Sequence, residues 1–440
     1  MYKPKNYAVA FAVIACTLMA LPAAADSQAR IVRLSDVQGK VQINKNSGLG
    51  FENAFLNLPV TQGTQLRTRD NGRAEIEFED GSTLRLTPNT TVEFSTLGLN
   101  DGGKRLSAVH LVDGLAYVNW LGKSGDTFTL NFSREKIELT QPSHFRVAIS
   151  SRNAEVANFR NEIDVMSPDG ATVKVEKKKM VAFEADSDQP SLAKNVNHLP
   201  ADEWDSDSTT YHDQYAKNNS TPLGYGVSDL NYYGSYNNVA GFGTLWQPYF
   251  TGVGWNPFMD GAWSYYPGMG FMWASAYPWG WMPYYYGNWL YAPGFGWGWQ
   301  PGGFNSWNGG VHYLGTVAGF QAPVAPKGSV NAVVVGRNAS VFADAQANMI
   351  VKKGSAGLGV PRGGLSDMHY LNSQVAKSGF VRVSAVQQFS ATSPRFVGFG
   401  FGEERSPDGR PDSGRFGAAR AAAAPSAGQS SAAAGGGGHH

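Results

Sequence analysis

Charge is scarce in this 440-residue sequence: Asp, Glu, Lys and Arg make up 16% of it, with 36 basic against 35 acidic side chains. So low a charged share excludes a coiled coil, a long-helix protein and a highly charged disordered chain. A net charge of +1 supplies no general field for nucleic acid or acidic membranes. The single cysteine, Cys16, excludes a disulfide framework and any cysteine-based metal site. Catalytic signatures are missing too: there is no G-x-S-x-G elbow, no H-E-x-x-H, no phosphate-cradling loop and no dinucleotide fingerprint. His110, His144, His198, His212, His312 and His369 are scattered without metal-ligand spacing. The expectation is a non-enzymatic protein with no catalytic residue, metal or cofactor. What is abundant is glycine (53), proline (23) and aromatic residues (12%).

These averages divide sharply along the chain. Lys3 and Lys5 precede an uncharged stretch from Ala8 to Leu21, and Pro22-Ala23-Ala24-Ala25 then offers small residues at the positions a signal peptidase reads. Residues 1–25 are therefore expected to be a signal peptide, with Ala23 and Ala25 setting the cleavage site. Val13-Ile14-Ala15-Cys16 also resembles a lipobox, and its alternative outcome is a lipid anchor through Cys16. No later run reaches the about eighteen apolar residues of a transmembrane helix, so none is expected in the mature chain. The location implied is periplasmic, cell-surface or secreted.

From Asp26 to Lys217, with 22 basic and 27 acidic side chains, the dominant period is two. Arg73-Ala74-Glu75-Ile76-Glu77-Phe78-Glu79 alternates strictly, placing Ala74, Ile76 and Phe78 on one face and the charges on another expected to be solvated. Asp80-Gly81 follows, and Thr83-Leu84-Arg85-Leu86 resumes the alternation, which reads as a tight hairpin. Asn71-Gly72 is a second turn, and all four turn residues are expected to be structural. Many short strands with Gly, Asn and Asp punctuation point to an all-β sandwich or short β-solenoid over 30–185.

The run RTRDNGRAEIEFEDGSTLRL, from Arg67 to Leu86, resembles the FecR domain. The similarity takes in Gly39–Ile43, Leu58–Gly63 and Leu66–Pro88, and runs more loosely through Thr140–Val147 to about Phe183. In its founding members that family is a periplasmic sensor module that relays an outer-membrane signal to a cytoplasmic sigma-factor-binding tail. With a signal peptide at its start, this sequence departs from that plan. The resemblance implies the module and an envelope location, with sigma-factor regulation as an alternative reading.

Residues 186–221, holding Asp202, Glu203, Asp205, Asp207 and Asp213, read as an acidic linker with one amphipathic turn around Trp204, Tyr211 and Tyr215. From Asn218 to Pro326 only Asp229 and Asp260 carry charge, and Tyr225 to Tyr313 holds 29 of the 55 aromatic residues. Within it Trp255, Gly261, Trp263, Tyr265, Pro267, Gly268, Gly270 and Trp273 recur 26 positions later as Trp281, Gly287, Trp289, Tyr291, Pro293, Gly294, Gly296 and Trp299. A weaker copy, Gly234, Tyr236, Gly241, Gly243 and Trp246, comes earlier. Each unit is expected to be a β-hairpin turned by Pro-Gly-x-Gly, with Trp255, Trp263, Trp273 and Trp299 in a shared core over 222–315. This segment resembles an uncharacterised Trp/Tyr/Gly/Pro-rich domain often found after FecR domains in bacterial exported proteins.

Burying 29 rings in so small a module is hard, so a surplus is expected at the surface. Tyr284-Tyr285-Tyr286 is the first candidate, because consecutive strand residues cannot share a face; Trp279, Trp281 and Trp289 extend it. Such a platform suits an envelope protein or a polysaccharide, and the lack of cations disfavours nucleic acid. Residues 316–402 read as partly ordered low-complexity chain and 403–440 as a disordered basic tail. The sum is an exported, non-enzymatic envelope protein acting as a binding or sensor module, with a FecR-type signalling regulator and a glycan-binding module as alternatives.

Overall fold

Alternation of apolar and polar side chains builds most of this molecule. The computed structural model describes residues 30–151, 153–184, 189–217, 224–308, 311–328, 332–335, 341–343 and 348–384. The expected signal peptide, with Cys16, Ala23 and Ala25, and the expected tail at 403–440 lie outside the described residues. Strands make up 46% of the structure and helices 12%, and no barrel closes among the described residues.

Among the described residues, seventeen strands from Val32 to Ala193 form two sheets that share the long Arg105–Trp120 strand. One sheet runs in space from Pro59–Val60 through Val32–Gln38, Arg73–Glu77, Thr83–Leu86 and Arg105–Trp120 to Ser143–Ile149, Asn153–Arg160, Met180–Glu184 and Ser191–Ala193, antiparallel throughout. The second sheet holds the remaining strands, and its one parallel pairing joins Thr127–Phe132 to the shared strand. Val32, Leu34, Ile76 and Leu84 of the first sheet meet Val41, Ile43, Leu66, Val92, Leu111 and Phe128 of the second in one aliphatic core. The 73–79 strand has the expected alternation, with Ala74, Ile76 and Phe78 in that core.

The expected linker contains a four-turn helix instead, α1, Pro200–Tyr215. Pro200 opens it, Asp202 and Glu203 occupy its first turn, and Asp202 Oδ2 accepts from the Leu199 N–H at 2.8 Å. A solvated stretch would leave Trp204, Asp205, Tyr211 and His212 exposed, but all four are buried because the helix lies across the first sheet. Helix α2, Val227–Tyr233, follows.

The three repeat units are three hairpins: Gly234–Val239 with Gly243–Pro248, Gly261–Tyr266 with Gly270–Ser275, and Tyr286–Ala292 with Gly296–Phe304. Each turn is the same object. Gly241 and Gly243, Gly268 and Gly270, and Gly294 and Gly296 all take positive φ, between 75° and 94°. In each, the N–H of the residue between the glycines donates back across the turn: Phe242 to Val239, Met269 to Tyr266 and Phe295 to Ala292. At the same register step Tyr236 faces Trp246, Trp263 faces Trp273 and Trp289 faces Trp299. The outer hairpins join one five-stranded sheet, where Tyr236, Trp246, Trp299, Trp289 and Tyr313 form a continuous row. The middle hairpin pairs with Ala332–Val335.

This aromatic core reaches well beyond the repeats. Met349, Val351, Val360, Leu365, Met368, Leu371 and Val375 belong to it, as do Tyr211 of α1 and Ile31. The low-complexity region expected from 316 onward therefore contributes real packing, including the Asn348–Lys352 strand. Two further helices complete the described chain: α3, Met282–Tyr285, inside the repeats, and α4, Met368–Ser378, beyond them.

Candidate functional site

The outer face of the first sheet is not solvated. Glu75, Glu77 and Arg85, expected on a wet surface, are buried beneath α1, α2 and the segment following the Asn348–Lys352 strand. Polar residues in a strict alternation announce a second face; whether water or protein covers it depends on sequence far away. Here protein covers it, and a charged network fills the seam.

Its centre is a pair of carboxylates. Glu75 receives Arg85 Nε at 2.8 Å, Arg362 Nη1 at 2.7 Å, the Ser35 hydroxyl at 2.8 Å and His212 Nε2 at 3.0 Å. Asp229, from α2, receives Arg362 through Nε at 2.8 Å and Nη2 at 2.7 Å, Arg33 Nη1 at 2.7 Å and the Tyr211 hydroxyl at 2.8 Å. Arg33 Nη1 also reaches Glu77 at 3.1 Å, and Glu77 accepts the Gly226 N–H with both oxygens at 3.1 Å. Arg85 continues to Asp205 at 2.6 Å and Thr209 at 2.9 Å on α1, and Asp205 meets His144 Nε2 at 2.8 Å. Arg146 and the Tyr117 hydroxyl both engage Asp202.

Burial alone would raise every one of these carboxyls. For Glu75 the charges of His212, Arg85 and Arg362 outweigh it and hold the group well below the usual carboxylate range. Asp229 is lowered by Arg362 and Arg33, and Asp205 by Arg85 and His144, against the same burial. Glu77 goes the other way, since burial exceeds the pull of Arg33. Asp36 is likewise raised by burial, against the opposing charge of Arg362.

Neutral contacts widen the seam. Arg33 Nη2 donates to the Pro278 carbonyl at 2.6 Å, Asn57 Nδ2 to the Ser275 and Tyr277 carbonyls at 2.9 and 2.7 Å, and the Tyr266 hydroxyl to the Pro59 carbonyl at 2.5 Å. Gly224 donates to the Glu79 carbonyl at 2.7 Å and approaches so closely that an added Cβ would lie 2.4 Å from the Asp80 carbonyl.

Residues 64–164 match the family model described as FecR protein, and residues 227–323 match a family of unknown function, DUF6600. The chain carries a FecR domain followed by a DUF6600 domain. Two crystal structures of a provisionally assigned anti-sigma factor from Parabacteroides distasonis ATCC 8503 are similar to it at 14% and 15% identity, each over 34% of this chain and over 71% and 72% of their own, with a TM-score of 0.28. No curated protein matches the sequence. Glu75, Glu77, Arg85 and His144 lie within the FecR match and Asp229 within the DUF6600 match, whereas Arg33, Asp205, His212 and Arg362 lie outside both. The seam is thus made by the two domains and by chain that neither family model covers.

The six residues expected as an exposed platform are all in the core of the DUF6600 half. Trp279, Trp281, Tyr284, Tyr285, Tyr286 and Trp289 are each buried. Tyr284 and Tyr285 lie on helix α3 rather than in a strand, so the alternation that would expose one of them does not apply. Their hydroxyls find buried carbonyls, Tyr284 that of Pro257 and Tyr285 that of Trp273, while Tyr286 meets the Tyr225 hydroxyl at 2.9 Å. The expected surplus disappears because the aromatic core shares its burial with α1, α4 and the 349–365 chain. Asn71 and Asp80 serve at turns: Asn71 Oδ1 accepts from the Lys40 N–H at 3.2 Å, and Asp80 accepts from Ser82 N and Oγ at 2.9 Å. Gly72 and Gly81 close those turns, donating to Arg69 and Phe78. Trp255, Trp263, Trp273 and Trp299 are core residues.

The seam residues Arg33, Arg85, Asp205, His212 and Arg362 were not singled out by sequence reasoning. One signal was available: Asp229 is an isolated carboxylate in a segment almost free of charge, and a lone charge amid aromatics is buried only when paired.

Proposed function

We propose that this chain is a non-enzymatic regulator of signalling of the FecR kind, exported to the cell envelope, in which the FecR and DUF6600 domains act together as one recognition unit. The observation that carries this reading is the seam itself. The charged face of the first sheet is engaged in cis, Glu75 and Arg85 of the run by which the sequence resembles its family by Arg362 and Asp205, and Arg33 beside them by Asp229. A buried ion network is weak evidence of net stability, and its use in this reading is to fix one register between the two surfaces. A protein whose role is to present a defined composite surface to an envelope protein fits that use.

The glycan-binding alternative loses its supporting feature, since the rings it relied on are buried. The test uses the full chain, because residues 222–315 alone would be stripped of the Met349–Val375 part of their core. Fractionation followed by crosslinking in intact cells should place the full-length protein in the envelope and crosslink it to a membrane-bound or sigma-linked regulator. A cytoplasmic protein with no such partner would refute the reading.

A further inference from the structure

Of the three arginines in the central seam, Arg33 and Arg85 stand on strands of the first sheet and are fully buried, whereas Arg362 arrives from elsewhere and keeps 14% of its side chain exposed. It belongs to a glycine-rich strap, Lys353–Leu365, that is neither helix nor strand. Three tight turns are its own backbone hydrogen bonds: Leu358 N to Ser355 O, Val360 N to Gly357 O and Gly364 N to Pro361 O. Much else that holds it comes from the groove. Trp279 Nε1 donates to the Ala356 carbonyl at 2.7 Å, the Tyr233 hydroxyl to that of Val360 at 2.7 Å, and the Tyr232 hydroxyl both donates to the Leu365 carbonyl at 3.0 Å and accepts its N–H at 2.9 Å. Ala356, Val360 and Leu365 sit as small apolar plugs in the aromatic core.

This is the way an extended peptide ligand is held: side-chain donors read its backbone, small plugs fill pockets, and one guanidinium fork enters a carboxylate receptor. The receptor is specific. Asp229 takes the fork through two bonds, Glu75 takes the third nitrogen, and the Tyr211 ring lies 5.6 Å from the guanidinium carbon.

We propose that the groove between the FecR and DUF6600 domains is an arginine-anchored peptide site, occupied in cis by the strap Lys353–Leu365, and that a partner segment carrying an arginine among glycines and small apolar residues displaces the strap from it. The proposal rests on the recognition role argued above and names the chemistry of the partner. Charge complementarity sets the requirement for arginine, since lysine cannot bridge Asp229 and Glu75 with a planar fork.

The experiment uses the full-length chain with Arg362→Ala, which removes the anchor and leaves the receptor. Its partner is a fluorescein-labelled peptide of the sequence Lys353–Leu365, followed by anisotropy, beside a second peptide in which the arginine is alanine. The variant should bind the arginine peptide at least about tenfold more tightly than the alanine peptide, and the wild-type chain, its site filled, should bind neither measurably. Near-UV circular dichroism establishes that the variant is folded; if it is not, Arg362→Lys takes its place, with the same ordering expected. A folded variant that binds both peptides equally, or neither, overturns the proposal. That result leaves the envelope regulator reading standing, because crosslinking to a partner through another surface does not depend on the groove.

Discussion

Arg33, on the first strand of the first sheet, and Asp229, on the first helix of the DUF6600 domain, meet at 2.7 Å with both side chains almost wholly buried. The contact joins two largely separate cores, since Val32 and Leu34 beside Arg33 pack in the aliphatic core and Leu230 beside Asp229 in the aromatic one. Removing Arg33 leaves Asp229 with Arg362, and removing Asp229 leaves Arg33 with Glu77, so each loss falls at or somewhat below the about 3–5 kcal/mol of a buried pair broken outright. Arg33→Ala and Asp229→Ala should therefore each lower the thermal midpoint strongly, measured by circular dichroism. A change within the range of a surface substitution, about 0.5 kcal/mol, would mean that water reaches the pair.

Acid should open the molecule in a defined order. Glu75, Asp205 and Asp229 are held below the ordinary carboxylate range by their arginine and histidine neighbours. Their contribution is present above the unfolded pKa of about 4 and is lost as pH falls through their lower folded values. Glu77 and Asp36, raised by burial, oppose this: they take up protons more readily in the fold, so their effect improves as pH falls toward the unfolded value. The thermal midpoint should be flat or rise slightly from pH 7 to about 5, then fall steeply below about 4. A midpoint that falls steadily from pH 7 would show that these carboxylates are not paired as described.

Two glycines separate strain from collision. Gly294 has φ +81° and open space where a Cβ would go, so Gly294→Ala meets only the left-handed backbone penalty, about 1–2 kcal/mol. A Cβ on Gly224 would lie 2.4 Å from the Asp80 backbone. Gly224→Ala should destabilise the chain more than Gly294→Ala in urea unfolding, and the reverse order would contradict the close approach of the two domains at Asp80.

Tryptophan fluorescence reads the aromatic core directly. Among the described residues every tryptophan is buried except Trp307, which is half-buried. Emission should be blue-shifted, acrylamide should reach only a small fraction of it, and Trp307→Phe should abolish most of that fraction. Neutral polysaccharides should leave the spectrum unchanged; saturable quenching would restore the glycan reading.

What could be read in advance, and what could not, follows from the range of each interaction. The repeat Trp263–Tyr265–Pro267–Gly268–Gly270–Trp273 carries its hairpin locally, because turn glycines and alternating rings determine the register between them. The alternation at 73–79 likewise names the inward residues. It is silent about Glu75 and Glu77, whose partners Arg362 and the Gly226 N–H are 287 and 149 positions away from Glu75 and Glu77 in turn. Helix α1 was more legible than the linker expectation allowed: Pro200 before Asp202 and Glu203 is a helix start, and Trp204, Tyr211 and Tyr215 share a helical face. Tyr284 to Tyr286 misled because Pro283 begins a helical turn where a strand was assumed.

A double-mutant cycle on Arg33 and Asp229 tests the docking of the first sheet's charged face against the DUF6600 domain most directly. Arg33→Met, Asp229→Leu and the double variant are compared with the wild type by urea unfolding of the full chain. Direct contact across a dry seam predicts a coupling energy of at least about 1.5 kcal/mol, with the double variant more stable than the two single losses would sum to. Additive losses within about 0.5 kcal/mol would contradict it, placing the two residues apart and leaving the charged strand face of the FecR domain open to solvent.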